Sequence, residues 1–423
     1  MFNNNVISKN NVLTICTLSL ALFITACNDD SKTSSDSREK VIKEIRTSIM
    51  STMQADKTPG MAVALINKNK KVFSEGFGVS NIESQQAVTA DTSFWLGSVS
   101  KTAIAVSIMH AQEQGLLSLN DNVSELLSNQ SDVTLNTPFA EPILLKHLMN
   151  HTSSIIDSDA YNCAYYVGEE DGEHASLSNQ LLGNNLCDET VPVSLAGFLN
   201  AYLSEEGRYY SAGDNFQSAK PGTSFEYSNI GAALAGYTLE VATGVSLADY
   251  AKTNIFNPLK MDNTSWRLDD LDQNNIASRY SWDEDDQVMV ELPLYSLSTW
   301  PDGGLRSSVN DLATYLSMVS NGGKTGNTRI LLSESIDSMI PVDPTNSDQT
   351  YGAFWTKHKM PNGRILIGHN GSDPGSYTYI FYDPAKSVGI VLVANGDDEI
   401  DEDGWLTRHL ELINSLLNHA QSL

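Results

Sequence analysis

The string Ser98-Val99-Ser100-Lys101 sets a hydroxyl and an amine three residues apart. On a helix, residues at that spacing lie on neighbouring turns of one face, so Oγ and Nζ can meet. A free serine hydroxyl is a poor nucleophile and needs a base. A lysine buried at the start of an apolar helix holds its proton less tightly and can supply that base. The amides at a helix N-terminus also point at a developing oxyanion. Alone, the string better fits a serine N-cap followed by a surface lysine.

Two further strings add to it. Tyr227-Ser228-Asn229 follows the turn Pro221-Gly222 and precedes an apolar helical run over residues 230–241. A tyrosine beside a lysine can relay a proton, and an asparagine can bind a substrate amide and hold the lysine. His369-Asn370-Gly371 falls between two predicted strands. Gly371 lets a substrate approach the backbone closely, and the N–H of Ser372 can join that of Ser98 as an oxyanion hole.

Other residues invite chemistry less strongly. His147 and His151 have the four-residue spacing of a zinc helix, but Leu148 stands where the metalloprotease pattern has Glu, and no third ligand presents itself. They read as a helix-to-loop junction, with no metal expected. The acidic stretch 397–403 has a calcium-loop flavour, but Leu410 stands where the bidentate Glu belongs, so it reads as a solvated loop. Arg306 reads as the anchor of a glycine-rich turn, with contact to substrate as the alternative. Trp300, Tyr351 and Trp355 read as core aromatics that alternatively line a cleft.

The elements that must carry these groups follow from periodicity. Residues 39–53 have a helical stripe of Val41, Ile42, Ile45, Ile49 and Met53. Residues 60–66 and 71–77 read as a hairpin, and 102–115 as an apolar helix closed by Gly115. Strands return at 364–368, 377–382 and 389–394, and 405–417 reads as a closing amphipathic helix. Strands at both ends with helices between predict an α/β sandwich: one antiparallel sheet from residues 39–97 and 346–423, and an inserted all-helical region from 98–345. Residues 161–220 look like a further insertion that shapes the cleft.

With 26 Lys plus Arg against 52 Asp plus Glu, the net charge is −26 and no basic cluster stands out. That excludes a nucleic-acid partner, which needs a basic face. Residues 12–26 form an apolar run too short for a comfortable membrane span, ending in Ile24-Thr25-Ala26-Cys27. This ending resembles the bacterial lipoprotein box, which implies cleavage after residue 26 and a lipid anchor on Cys27. A flexible tether is expected over 27–38, then the hydrolase domain over 39–423, at a bacterial cell envelope. Cys163 and Cys187 are the remaining pair beyond the signal, and an exported compartment predicts a disulfide between them.

Together, the three strings resemble the penicillin-recognising serine hydrolases, in particular the class C beta-lactamase and D-aminopeptidase/esterase branch. Further matching strings are Leu145-Lys146-His147-Leu148-Met149-Asn150-His151-Thr152-Ser153, Gly303-Gly304-Leu305-Arg306-Ser307-Ser308 and Gly368-His369-Asn370-Gly371-Ser372-Asp373-Pro374-Gly375. The resemblance implies that Ser98 is acylated and then released by water. It implies that Lys101 and Tyr227 share the proton work, that Asn229 orients substrate, and that no cofactor takes part. His369 fills the place of a lysine in true beta-lactamases and transpeptidases. A histidine is mostly neutral near pH 7, so esters, amides and D-amino-acid peptides are the expected substrates. D-alanyl-D-alanine carboxypeptidase, beta-lactamase and a non-catalytic envelope lipoprotein stay open as alternatives, and the oligomeric state is open.

Overall fold

The computed structural model describes residues 29–167, 175–177, 179, 187, 191, 194–283, 285–340, 349–397 and 407–423. At its centre is a sheet whose first strand, β1 (Gly60–Asn67), is an apolar run with almost every residue buried. Side chains alternate between the two faces of a strand. Met61, Val63 and Leu65 therefore enter one core, and Ala62, Ala64 and Ile66 the other. Both faces are covered, which explains why β1 does not alternate with polar residues.

The sheet also contains β2 (Lys70–Asn81), β3 (Gln86–Ala87), β4 (Gln349–Tyr351), β5 (Thr356–Lys359), β6 (Ile365–Asp373), β7 (Ser376–Asp383) and β8 (Val388–Ala394). Its order is β4-β5-β6-β7-β8-β1-β2-β3, and every pairing is antiparallel. The two ends of the chain thus meet at β1 and β8, with Val63 opposite Leu392. The β1–β2 hairpin turns on Lys68 and Asn69, both at positive φ, the conformation that matches strand twist in a two-residue turn.

One face is covered by helices α1 (Asp29–Ala55) and α5 (Thr407–Ala420). Leu412, Ile413, Leu416, Leu417 and Ala420 form the buried stripe of α5 against Ile45, Ile49 and Met53 of α1. His409 ties this layer together: Nδ1 meets the Tyr379 hydroxyl at 2.7 Å and Nε2 meets Asp56 Oδ2 at 2.9 Å. Helix α1 begins at Asp29, so residues 29–38, expected as a tether, are helical. Arg38 Nη2 donates to the Val72 carbonyl at 3.4 Å, which fastens this stretch to β2. Residues 1–28, including Cys27, lie outside the described residues, as do 398–406 and thus most of the acidic stretch and Trp405.

The other face carries the helical region, including α2 (Ser100–Glu113), α3 (Asn229–Thr243) and α4 (Val309–Ser320). Short strands also occur there: Tyr165–Val167 pairs with Ala175–Ser176 and Tyr295–Leu297, and Tyr280–Asp283 pairs with Val288–Glu291. Cys163 and Cys187 form a disulfide with Cα atoms 5.5 Å apart.

The His369-Asn370-Gly371 string departs from expectation: it lies inside β6 rather than between strands. Its backbone continues the ladder, with His369 opposite Ile380 and Asp373 opposite Ser376, and the chain turns at Pro374-Gly375. The polar residues and glycine look like a loop locally, and pairing with β7 overrides that.

Candidate active site

Ser98 sits in a short 3-10 turn, Gly97–Val99, leading directly into α2. Gly97 has φ +53°, a region that costs glycine little. Val99, Ser100 and Lys101 are buried while Ser98 remains partly exposed. Strand β6 passes hard against this turn. A Cβ on Gly371 would stand 2.1 Å from the Leu96 carbonyl oxygen and 2.9 Å from Ser98 N, and one on Gly97 would stand 3.0 Å from Ser372 N. Only glycine permits this approach, which brings the Ser372 amide beside the backbone of Gly97 and Ser98.

Lys101 has no exposed surface. Its Nζ donates to Ser98 Oγ at 3.0 Å and to the Asp302 carbonyl at 2.8 Å. Burial drives its pKa down, opposed by the carboxylates of Asp302, Asp157 and Asp373. The Tyr227 ring lies 5.2 Å from Lys101 Nζ. Burial pushes the Tyr227 phenol far up, against the help of Ser98. Asn229 does not hold the lysine, contrary to expectation. Its backbone N–H donates to Asp157 Oδ2 at 2.8 Å, and among the described residues Lys101 Nζ bonds to Ser98 and Asp302, not to the half-buried Asn229 side chain.

His369 is buried, with Nδ1 bonded to the Asn370 carbonyl and Nε2 without a partner. Burial lowers its pKa to about 4, so the ring is neutral near pH 7. Its ring centroid stands 6.3 Å from that of Tyr227.

Several groups around the site carried no sequence signal of their role. Asp157 caps α3, accepting from Ser228 Oγ, Asn229 N and Ile230 N at 2.8–3.0 Å. This fixes the helix start that follows Tyr227. Asp302 receives the Tyr161 hydroxyl at 3.3 Å, and burial raises its pKa. Asp373, the residue after Ser372, accepts from Trp95 Nε1 at 2.9 Å and the Tyr165 hydroxyl at 2.6 Å. Tyr161 and Tyr165 flank Cys163, so the insertion forms one wall of the site. His151 stacks on Tyr227 and is not paired with His147 on a helix. It lies beyond the helix Leu145–Met149 at φ +57°. Among the described residues no three His, Cys, Asp or Glu gather as metal ligands.

The aromatics divide three ways. Tyr351 lies 6.0 Å from Tyr227 and 6.4 Å from His369, at the site. Trp355 is fully buried in the core, stacked on Tyr315. Trp300 lines a separate cavity.

The family model described as "Beta-lactamase" matches residues 45–413. Protein flp of Staphylococcus aureus (strain MRSA252) is 24% identical over 380 residues, which span 90% of this chain and 67% of that protein. Penicillin-binding protein 4* of Bacillus subtilis (strain 168) is 23% identical over 365 residues, 81% of this chain and 69% of the relative. An octameric penicillin-binding protein homologue from Pyrococcus abyssi superposes with a TM-score of 0.69 at 28% identity, over 89% of this chain and 77% of the other. A class C beta-lactamase in complex with cefoxitin gives 0.65 at 21% identity, over 90% and 99%, a likeness of fold.

Proposed function

Given that the chain belongs to the beta-lactamase family, we propose that it is a serine hydrolase that cleaves ester, amide or D-amino-acid peptide bonds through a Ser98 acyl-enzyme. The observation that carries this reading is the 3.0 Å hydrogen bond from Lys101 Nζ to Ser98 Oγ, with the Tyr227 ring 5.2 Å from the same Nζ.

Lys101 takes the first proton. Burial makes it a weaker base than a surface lysine but leaves its neutral form accessible, whereas burial keeps Tyr227 protonated. Ser98 Oγ attacks the carbonyl carbon as its proton passes to Lys101 Nζ. The N–H groups of Ser98 and Ser372 receive the oxyanion. The Tyr227 hydroxyl protonates the leaving group and is recharged from the Lys101 ammonium. Water then attacks the acyl carbon by the same route in reverse. Asn229, whose side chain does not bind Lys101, orients the substrate.

A neutral His369 offers no fixed cation to a substrate carboxylate. This favours esters, amides and D-amino-acid peptides over the penicillins and D-alanyl-D-alanine termini that a lysine would hold. The Ile24-Thr25-Ala26-Cys27 string supports an assignment to a bacterial cell envelope through lipid on Cys27.

A fluorophosphonate probe tests the reading. Labelling of the wild type and none of Ser98→Ala is expected. Equal labelling of the two rejects Ser98 as nucleophile, and an unlabelled wild type favours a non-catalytic envelope protein. A labelled penicillin trapped on Ser98 moves the assignment to carboxypeptidase or beta-lactamase.

A further inference from the structure

Apart from the catalytic cleft, a cavity of about 370 Å³ opens between the helical region and the segment 295–306. This is within the roughly 300–1,000 Å³ usual for small-molecule sites. Neither Ser98, Lys101 nor Tyr227 lines it; its walls include Trp95, Trp266, Trp300, Leu297 and Arg306. Three indoles and a leucine supply much of its apolar surface.

Two side chains of the wall, Arg306 and Trp266, carry buried donors without a partner among the described residues. Arg306 is only 4% exposed, its Nη2 has no hydrogen-bond partner, and its guanidinium lies 4.4 Å from the Trp95 ring. No carboxylate among the described residues stands within ion-pair distance of it. A second buried guanidinium, Arg279, lies 4.5 Å from the same Trp95 ring, also with an unpartnered nitrogen, Nη1. Two like charges flanking one indole raise the cost of each, since a buried cation normally has a partner. Trp266 Nε1 is a further buried donor without an acceptor. Arg267, at the mouth, is paired with Asp249.

We propose that this cavity binds a small carboxylate with a planar apolar body, such as an arylcarboxylate. The carboxylate takes hydrogen bonds from Arg306, the strongest form for a planar anion, and from Trp266 Nε1. The ring lies among the indoles. The site is separate from the nucleophile but touches it through one residue. Trp95 forms the cavity wall, and its Nε1 donates to Asp373, which follows the Ser372 amide along β6. An occupant that shifts Trp95 therefore bears on the strand beside Ser98. The proposal does not depend on which bonds the enzyme cleaves.

Titration calorimetry and tryptophan fluorescence with benzoate, benzamide and benzyl alcohol test it. The full chain is used both free and with the catalytic cleft blocked by a fluorophosphonate, or as Ser98→Ala if labelling fails. Saturable benzoate binding that survives the block, with benzamide and benzyl alcohol at least tenfold weaker, is expected. Arg306→Gln is expected to weaken benzoate at least tenfold with an unchanged circular dichroism spectrum. Should Arg306→Gln not fold, Trp266→Phe removes the indole N–H together with part of the ring face and is expected to weaken benzoate severalfold more than it weakens benzyl alcohol. The proposal is overturned by no saturable benzoate binding up to 10 mM, by equal binding of benzamide, by loss of binding on blocking the cleft, or by a folded Arg306→Gln or Trp266→Phe that binds as the wild type does.

Discussion

His151 lies flat against Tyr227, ring centroids 4.4 Å apart and planes 29° from parallel, while its Nδ1 accepts the Ser228 N–H at 3.1 Å. One imidazole thus holds the tyrosine ring and the backbone immediately after it. Its pKa is pushed well below the usual value by burial, then by Lys101 and His369, so it does this work as a neutral ring.

It follows that His151 positions Tyr227 without touching substrate. His151→Ala is expected to lower kcat by up to about 100-fold, the effect of a misplacement near 1 Å, with KM little changed. His151→Phe restores the stacked ring but leaves the buried Ser228 N–H without an acceptor, a cost of about 1–3 kcal/mol. It is expected to recover part of kcat at reduced thermal stability. Steady-state kinetics and a melting curve on both variants read the two effects separately, and equal kcat for the two would remove the stacking role.

Asp302 affects Lys101 by charge. Its carboxylate is the foremost influence raising the Lys101 pKa against burial, and its backbone carbonyl separately holds Nζ. Asp302→Asn removes the charge and keeps the carbonyl. The amine then loses its proton at lower pH, so the acid limb of kcat/KM is expected to move to lower pH. A limb that stays put, or moves up, in a pH–rate profile shows that another group sets it.

The parts of this site that were legible in the sequence are those written locally. Ser98 and Lys101 meet because three residues of helix bring them together. Strand β1 was visible because a sheet buried on both faces demands an unbroken apolar run. The Asp157, Asp302 and Asp373 carboxylates gave no such sign. Each acts through contacts made across the fold, 72 residues away in the bond from Asn229 N to Asp157 and 278 in that from Trp95 to Asp373. The spacing of His147 and His151 means one helix face only if the helix continues, and here it ends at Met149. Nothing in the sequence foretells that Arg306 pairs with Trp95 across the fold.

The buried histidines should make the fold acid-sensitive. His369 has a folded pKa of about 4, below the roughly 6.5 of an unfolded histidine. Between those values the unfolded chain binds the extra proton. Its contribution to stability is therefore present above about pH 6.5 and lost as pH falls towards 4, at up to about 1.4 kcal/mol per pH unit. The buried carboxylates, with raised pKa values, act with the opposite sign, so the difference between proteins is the informative quantity. Urea unfolding of His369→Gln and wild type from pH 7 to 4 is expected to give a slope shallower by up to that amount. Parallel slopes would mean that His369 is protonated equally in both states.

The Cys163–Cys187 bridge joins stability to the cleft. It closes a 24-residue separation, which in the chain-entropy account restricts the unfolded state by about 3 kcal/mol. Cys163 also sits between Tyr161 and Tyr165, whose hydroxyls reach Asp302 and Asp373, two of the carboxylates that act on Lys101. Loosening the bridge frees that wall while leaving Ser98, Lys101 and Tyr227 on their own elements. Cys163→Ser/Cys187→Ser is therefore expected to melt several degrees below the wild type and to show a raised KM with fluorophosphonate labelling retained. Added reductant is expected to reproduce the shift in the wild type and leave the double variant unchanged. A double variant that melts with the wild type but loses labelling would reverse the assignment, making the bridge a support of the nucleophile rather than of the wall.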